Sequence, residues 1–443
     1  MKRLIVFFAL FASITANAAS TLLFKSGFES ATTINTVSLY GSANGGEQTF
    51  TGTDATSGFN WASTVLNGTW FSQQVACNES NCVSPNTSAN LLNFNVAQIQ
   101  SGTDPTGKTS NLLYTAALGS DDANQTTLML GPSSEPSDFY ISFWIKFQPD
   151  LLTVMAGGDL QAITEWKSSG DFRELVHIES FGLCGANVPH FALYWDNVAN
   201  GGLPYQQFLS SRNCTTVISD VSKWYRIEKF THRDNSTGRV LFIVDGTTHT
   251  DHTGDNIGVN SNSINRIIVN NTYGSAMTGE NHLVDNIEVW DGLPPNPSLT
   301  DQTVASVGDT TGTPQVTTNI GAGTMYMVVV PSGDFDSLTN AQRWALVKQG
   351  KQSSGAAATG AEIIEVFASG AKSFAQVTGL TSGLTYDTWL CHWTTGTPNC
   401  VTVDFTTTGQ ENVVRPPISV TRFNVEDYRI AANDDHWRLA VNQ

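Results

Sequence analysis

Charge is scarce in this chain. Only 14% of its 443 residues are Asp, Glu, Lys or Arg, against about a quarter in ordinary soluble domains. The basic share is smaller still, 22 residues against 39 acidic ones, which gives a formal net charge of −17. Generic nucleic-acid binding needs a basic surface to replace phosphate counterions, so this balance strongly disfavours it. Beyond the first twenty residues no stretch has the length and apolarity of a membrane-spanning helix. There is no CxxC and no Cys/His cluster of the kind that holds zinc. There is also no nucleophile elbow, no phosphate loop and no His-Glu-x-x-His run.

Ser, Thr, Asn and Gly fill the place of the missing charges. That composition suits exposed strands and loops outside the cell. The opening MKRLIVFFALFASITANAAS agrees with such an address: Lys2 and Arg3 precede an apolar run, and Ala16-Asn17-Ala18 offers small residues for a signal peptidase. Residues 1–18 are therefore expected to be a secretory signal, and the mature protein to be secreted, with no membrane span. Six cysteines fit an oxidising compartment. Pairing each with its nearest neighbour closes a local loop, so Cys77 is expected to bond Cys82, Cys184 to bond Cys214, and Cys391 to bond Cys400.

Period-two alternation dominates the chain from Thr21 to about Pro297. In DFYISFWIKF, Phe139, Ile141, Phe143, Ile145 and Phe147 share a face; in HFALYWD, Phe191, Leu193 and Trp195 oppose His190, Ala192, Tyr194 and Asp196. KWYRIEKFTHRDNSTGRVLFIVDG reads as two long strands joined by a turn at 234–238. The pattern predicts a sandwich of antiparallel sheets. Pro294, Pro295 and Pro297 mark a boundary. After it, SLTNAQRWALVKQG predicts a short helix, with Thr339 and Gln342 as a capping box and Gly350 as the stop. His249 and His252, in DGTTHTDHTGDN, read as solvated loop residues rather than ligands.

The strand-like runs LLFKSGFES, LVDNIEVWDG and KWYRIEKFTHRDNSTGRVLFIVDG resemble those of a concanavalin A-like jelly roll, the fold of secreted polysaccharide lyases and lectin-like domains. VTGLTSGLTYDTWLCHW resembles a fibronectin type III domain, in which Leu380, Gly383 and Tyr386 would form a corner closed by the tyrosine hydroxyl. The resemblance implies an all-β protein: a jelly-roll sandwich over residues 19–297, a smaller fibronectin type III-like sandwich with an inserted helix over 298–410, and a C-terminal tail over 411–443. It also implies a structural Ca²⁺ near the paired terminal strands, with Glu29 and Asp285 as oxygen ligands.

The chemistry-bearing residues gather in ITEWKSSGDFRELVHIES and the strand after it. Alternation puts Arg173, His177 and Glu179 on one face, Glu165 and Lys167 on another, and His190, Tyr194 and Asp196 on a third. Were these strands neighbours, the three faces would line a glycan groove, with Glu165, Glu179, His190 and Lys229 binding substrate and Tyr225, Lys229 and Arg233 giving a basic rim. A lyase acting on a uronic-acid polymer needs a cation at the developing charge, a base and an acid. Arg173 or Lys167 can supply the first, and His177 and Tyr194 the other two. Heparin-lyase-like relatives carry a Gln-Trp-His run where this chain has Glu165-Trp166-Lys167, so their functional His is absent here. Three readings follow: a carbohydrate-binding protein, a lyase, or an adhesion component. A jelly-roll glycosidase is disfavoured, because no Glu-x-Asp-x-Glu run occurs.

Overall fold

A computed structural model describes residues 20–30, 32–36, 47–61, 74–77, 96–117, 126–130, 138–157, 160–168, 173–185, 188–196, 208–234, 236–255, 257, 264–274, 280–409, 428–433 and 436–441. The expected signal segment and Cys82 lie outside them, as do the side chains of Cys77, Lys167 and Arg173.

The described chain is nearly all antiparallel strand. One sheet runs in the order Thr247–Asp255, Gly238–Val244, Tyr225–His232, Asp138–Phe147, Glu280–Trp290, Thr109–Ala117 and Val96–Thr103, with Leu22–Ser26 also paired to Glu280–Trp290. A second runs Phe208–Val217, His190–Asp196, Arg173–Glu179, Leu160–Ser168, Ile264–Gly274, Thr126–Leu130, Gln74–Cys77, Glu47–Thr51 and Thr33–Thr36. Their inner faces share one core. Phe139, Ile141, Phe143, Ile145 and Phe147 meet Trp166, Val176, Ile178, Phe191, Leu193 and Trp195 there, the alternate residues that the pattern assigned to the inside. Turn chemistry sets the hairpins. Asp245 and Gly246 both take positive φ, 52° and 77°, as a two-residue turn matched to strand twist requires. The Asp234 carboxylate accepts the amides of Ser236 and Thr237 at 2.8 and 2.7 Å and so fixes the preceding turn.

A second, smaller sandwich follows. Its three-stranded sheet (Leu299–Ala305, Thr313–Thr318, Gly370–Ser373) faces a four-stranded one (Gly360–Glu365, Thr324–Pro331, Thr385–Trp393, Asn399–Thr406) across a core that includes Val316, Met327, Val329, Leu390 and Phe405. The Tyr386 hydroxyl accepts the Thr381 amide at 2.8 Å, closing the corner on Leu380. The helix spans Asn340–Gln349: Thr339 and Gln342 form the reciprocal capping box, and Gly350 ends it at φ 64°. A hairpin of Tyr428–Asn433 and His436–Val441 lies in the tail.

The two sandwiches are bound by buried polar groups as well as by rings. Lys25, 1% exposed, holds Glu288 at 2.6 Å and the Val366 carbonyl at 2.7 Å, while the Gly323 amide donates to the same Glu288 oxygen. Arg226 lies 4.3 Å from the Trp393 ring and donates to the Thr394 carbonyl at 2.6 Å. Trp144 meets Trp393 edge to face. This explains why Tyr140 and Trp144 are buried although they point away from the first core.

Candidate functional site

Three of the strands expected to carry the chemistry are neighbours. Leu160–Ser168, Arg173–Glu179 and His190–Asp196 lie side by side, and Phe208–Val217 completes that edge of the sheet. The register sets Glu179 opposite His190, and His177 opposite Ala192 and Ala162. A bulge at Ile163, where Val176 pairs Thr164 but His177 pairs Ala162, turns Ile163 into the core.

Glu179 is the centre of the outer face. Its carboxylate takes a hydrogen bond from the Tyr194 hydroxyl on one oxygen and from Arg212 Nε, 2.6 Å away, on the other. His190 Nε2 lies 3.8 Å from that second oxygen, and its Nδ1 is 3.2 Å from the Val188 carbonyl. The His177 ring packs on Tyr194 with centroids 5.2 Å apart. Glu179 and His190 are buried, His177 and Tyr194 half-buried, and Arg212 is about one-third exposed at 35%. The outward groups are thus the two rings and the guanidinium, with the carboxylate as their brace. Burial first, then the hydrogen bond and charge of Glu179, hold the Tyr194 hydroxyl well above its ordinary ionisation range. Glu179 likewise stabilises the cationic form of Arg212 against the opposing effect of burial.

The flanking loop is pinned to the site. Cys184 bonds Cys214, and the register between His190↔Val217 and Ala192↔Arg212 leaves extra residues on the Cys214 strand to make that reach. Phe181 and Leu183, 53% and 50% exposed, project apolar surface from the same loop. Cys391 bonds Cys400 as expected.

Other expected residues lie elsewhere. Arg173 pairs with Lys167 in register, four residues and roughly 13 Å along the strand from His177. Glu165 pairs Leu175, on the His177 face, and is buried. The expected basic rim does not form: Tyr225, Lys229 and Arg233 are all buried. Lys229 points between the sheets, where its ammonium lies 3.5 Å from Glu174 and 4.2 Å from the Trp166 ring centre. Burial pushes Lys229 down, to about 8, and Glu174 up. Lys229 shares its strand face with Tyr225 and Ile227, which belong to the core between the two sheets, so the rim expected there is buried instead. His249 corrects the loop reading: it sits in the Thr247–Asp255 strand, buried, with Nε2 2.9 Å from the Phe191 carbonyl and Nδ1 2.7 Å from Thr250.

The terminal strands do pair, Leu22–Ser26 with Glu280–Trp290. The turn after the first of them wraps Asp54, which sequence reasoning missed. Its carboxylate accepts Ser26 Oγ and the amides of Gly27, Glu29, Thr56 and Ser57 at 2.8–3.1 Å. Burial acts to raise its pKa, but these hydrogen bonds outweigh it and leave the carboxyl below the ordinary range. The spacing TDATS, an Asx-type turn, was the available signal. Asp285 is different. It is buried, one oxygen accepts the Asn286 amide at 2.7 Å, and Oδ2 has no partner, so burial drives its pKa well up. Glu29 accepts the Ser110 hydroxyl. Among the described residues no cluster of three or more metal-ligating side chains exists.

No family model matches the chain and no curated protein does. Solved structures similar to parts of it include cellulose induced protein Cip1, at 11% identity over 44% of this chain and 85% of that one, TM-score 0.29. The glycoside hydrolase domain of Endo-D from Streptococcus pneumoniae R6 is similar at 8% identity over 70% and 36%, TM-score 0.33. Domain 4 of the extracellular arabinanase AbnA from Geobacillus stearothermophilus is similar at 12% over 44% and 76%, TM-score 0.26. Likeness at this level carries no functional inference. No described helix is long and apolar enough to cross a membrane.

Proposed function

We propose that this is a secreted carbohydrate-recognition protein, and that a polysaccharide lies on the outer sheet face where Tyr194, His177 and Arg212 stand together. The observation that carries this reading is the pair of hydrogen bonds that the Glu179 carboxylate accepts from Tyr194 and Arg212. It fixes an aromatic hydroxyl and a guanidinium side by side, and rings with directed polar groups are what sugar faces and hydroxyls need. In this reading the first sandwich is a concanavalin A-like jelly roll. The second, whose three-plus-four strand arrangement and Tyr386 corner fit a fibronectin type III module, is locked to it rather than tethered as a free spacer.

A second reading, β-elimination on a uronic-acid polymer, is favoured by the contact of His177 with Tyr194. His177 would take the proton beside the carboxylate. As the C–O bond to the leaving sugar breaks and a ring double bond forms, Tyr194, held protonated, would give its proton to the leaving oxygen. Arg212 would stabilise the developing charge, the role expected above of Arg173 or Lys167. The test is a panel of acidic and neutral polysaccharides, with binding and the ultraviolet absorbance of unsaturated uronates read together. Absorbance lost in His177→Ala and Tyr194→Phe supports the lyase. Binding alone supports recognition. Neither signal removes the groove reading and leaves an adhesion component.

We also propose that Ca²⁺ binds at Asp285 and Glu29. The unpartnered Asp285 oxygen is the observation that fits a hard cation, whose role would be to hold the terminal strands together.

A further inference from the structure

A cavity of about 710 Å³ opens on the second sandwich, where the helix Asn340–Gln349 meets the hairpin of Thr385–Trp393 and Asn399–Thr406. Gly246, from the turn of the first sandwich, closes one side. Its walls mix two indole rings, Trp344 and Trp389, with the amides of Gln302, Asn340 and Asn399. The Cys391–Cys400 bond staples the hairpin that forms its floor, and the capping box fixes the start of the helix above it. One feature points to a ligand. Arg343 lies with its guanidinium 5.1 Å from the Trp389 ring centre, and its hydrogen-bond acceptors are the Phe335 and Asp336 carbonyls and the Asn340 amide oxygen, none of them a carboxylate. It is a fixed positive charge, stacked on an aromatic face, in a chain of net charge −17.

We propose that this cavity is a second saccharide site, separate from the Glu179 site, that takes an acidic sugar. The indoles would receive the C–H face of the ring, the amides its hydroxyls, and Arg343 its carboxylate. The size fits a short oligosaccharide segment. The site stands where the two sandwiches meet, so a chain held there is held by both.

The test uses the full mature chain carrying Glu179→Gln and Tyr194→Phe, which disables the first site, titrated with trigalacturonate and with neutral maltotriose by calorimetry and tryptophan fluorescence. The expected result is saturable binding of trigalacturonate with quenched fluorescence, at least tenfold tighter than maltotriose. Arg343→Gln should weaken it at least tenfold. Thr402→Trp, which fills the cavity without removing a native hydrogen bond, should abolish it and guards against misfolding of the Arg343 variant. No binding in the double variant overturns the proposal while leaving the Glu179 site intact. Equal binding of both sugars, or binding indifferent to Arg343→Gln and Thr402→Trp, also overturns it. If the double variant binds as tightly as the parent and only Thr402→Trp abolishes binding, the second site stands and the Glu179 reading falls.

Discussion

Arg212 Nε lies 2.6 Å from Glu179 Oε2 although their strands are not neighbours; the intervening strand passes Tyr194 to the same carboxylate. Glu179 is therefore a brace for two outward groups. Glu179→Gln is expected to bring the Tyr194 pKa part of the way back down to the ordinary tyrosine range, since burial, the larger cause of its elevation, remains. Tyrosinate absorbance against pH, differenced against Tyr194→Phe, reads this. An unchanged difference curve rejects the brace. The same variant should weaken polysaccharide binding about tenfold, the effect of losing roughly 1.4 kcal/mol.

The Lys229–Glu174 pair crosses the core between the sheets. Lys229→Met strands Glu174 in an apolar interior and is expected to cost about 3–5 kcal/mol in urea denaturation. Adding Glu174→Leu should recover most of that loss, because the desolvation cost disappears with the second charge. A double variant as unstable as the single one contradicts this.

Stability should depend on pH through two opposed sets of groups. Burial lowers His249 and His392 to about 4 and His282 to about 3, from 6.5. Their stabilisation is full above pH 6.5 and is lost as pH falls towards those values, because the unfolded chain takes up the protons first. Glu365 is raised from 4.5 to about 7, chiefly by burial. Its stabilisation is full below pH 4.5 and is lost as pH rises through 7. Glu365→Gln, which keeps an acceptor for Thr324, should therefore raise the thermal midpoint at pH 8 and leave it nearly unchanged at pH 4.5. Equal shifts at both pH values refute the assignment.

In the smaller sandwich, Tyr386→Phe deletes the acceptor of the Thr381 amide, and Thr339→Ala removes the helix cap. Each is expected to cost about 1 kcal/mol. Chemical denaturation checks both; a neutral Tyr386→Phe means the corner contributes no stability.

If a cation satisfies Asp285, millimolar Ca²⁺ should raise the melting temperature of the parent protein, a chelator should reverse the rise, and Asp285→Asn should be indifferent to both. A parent protein whose melting does not respond to Ca²⁺ has no such site.

Much of the fold was legible because it rests on local rules. Alternation in DFYISFWIKF and HFALYWD named core residues correctly, since a strand fixes which side chains share a face. The turns at Asp234 and Asp245 and the helix ends at Thr339 and Gly350 are set by residues within a few positions of one another. Two of the nearest-neighbour disulfides formed for the same reason.

The candidate site divides differently. The sequence by itself put His177 with Glu179 on one strand face and His190 with Tyr194 on another; that the two strands adjoin came from the structure. Only the tertiary structure brought in Arg212 from a third strand, buried Lys229, Tyr225 and Arg233, and put Arg173 and Lys167 far along the sheet. Alternation says which residues face together but not what covers each face. Here the first sheet is covered twice, by the second sheet and by the smaller sandwich. Its polar residues, Lys25, Arg226, Glu228, Lys229 and Glu288, therefore became buried partners instead of surface charges, an outcome decided by contacts between segments up to hundreds of residues apart.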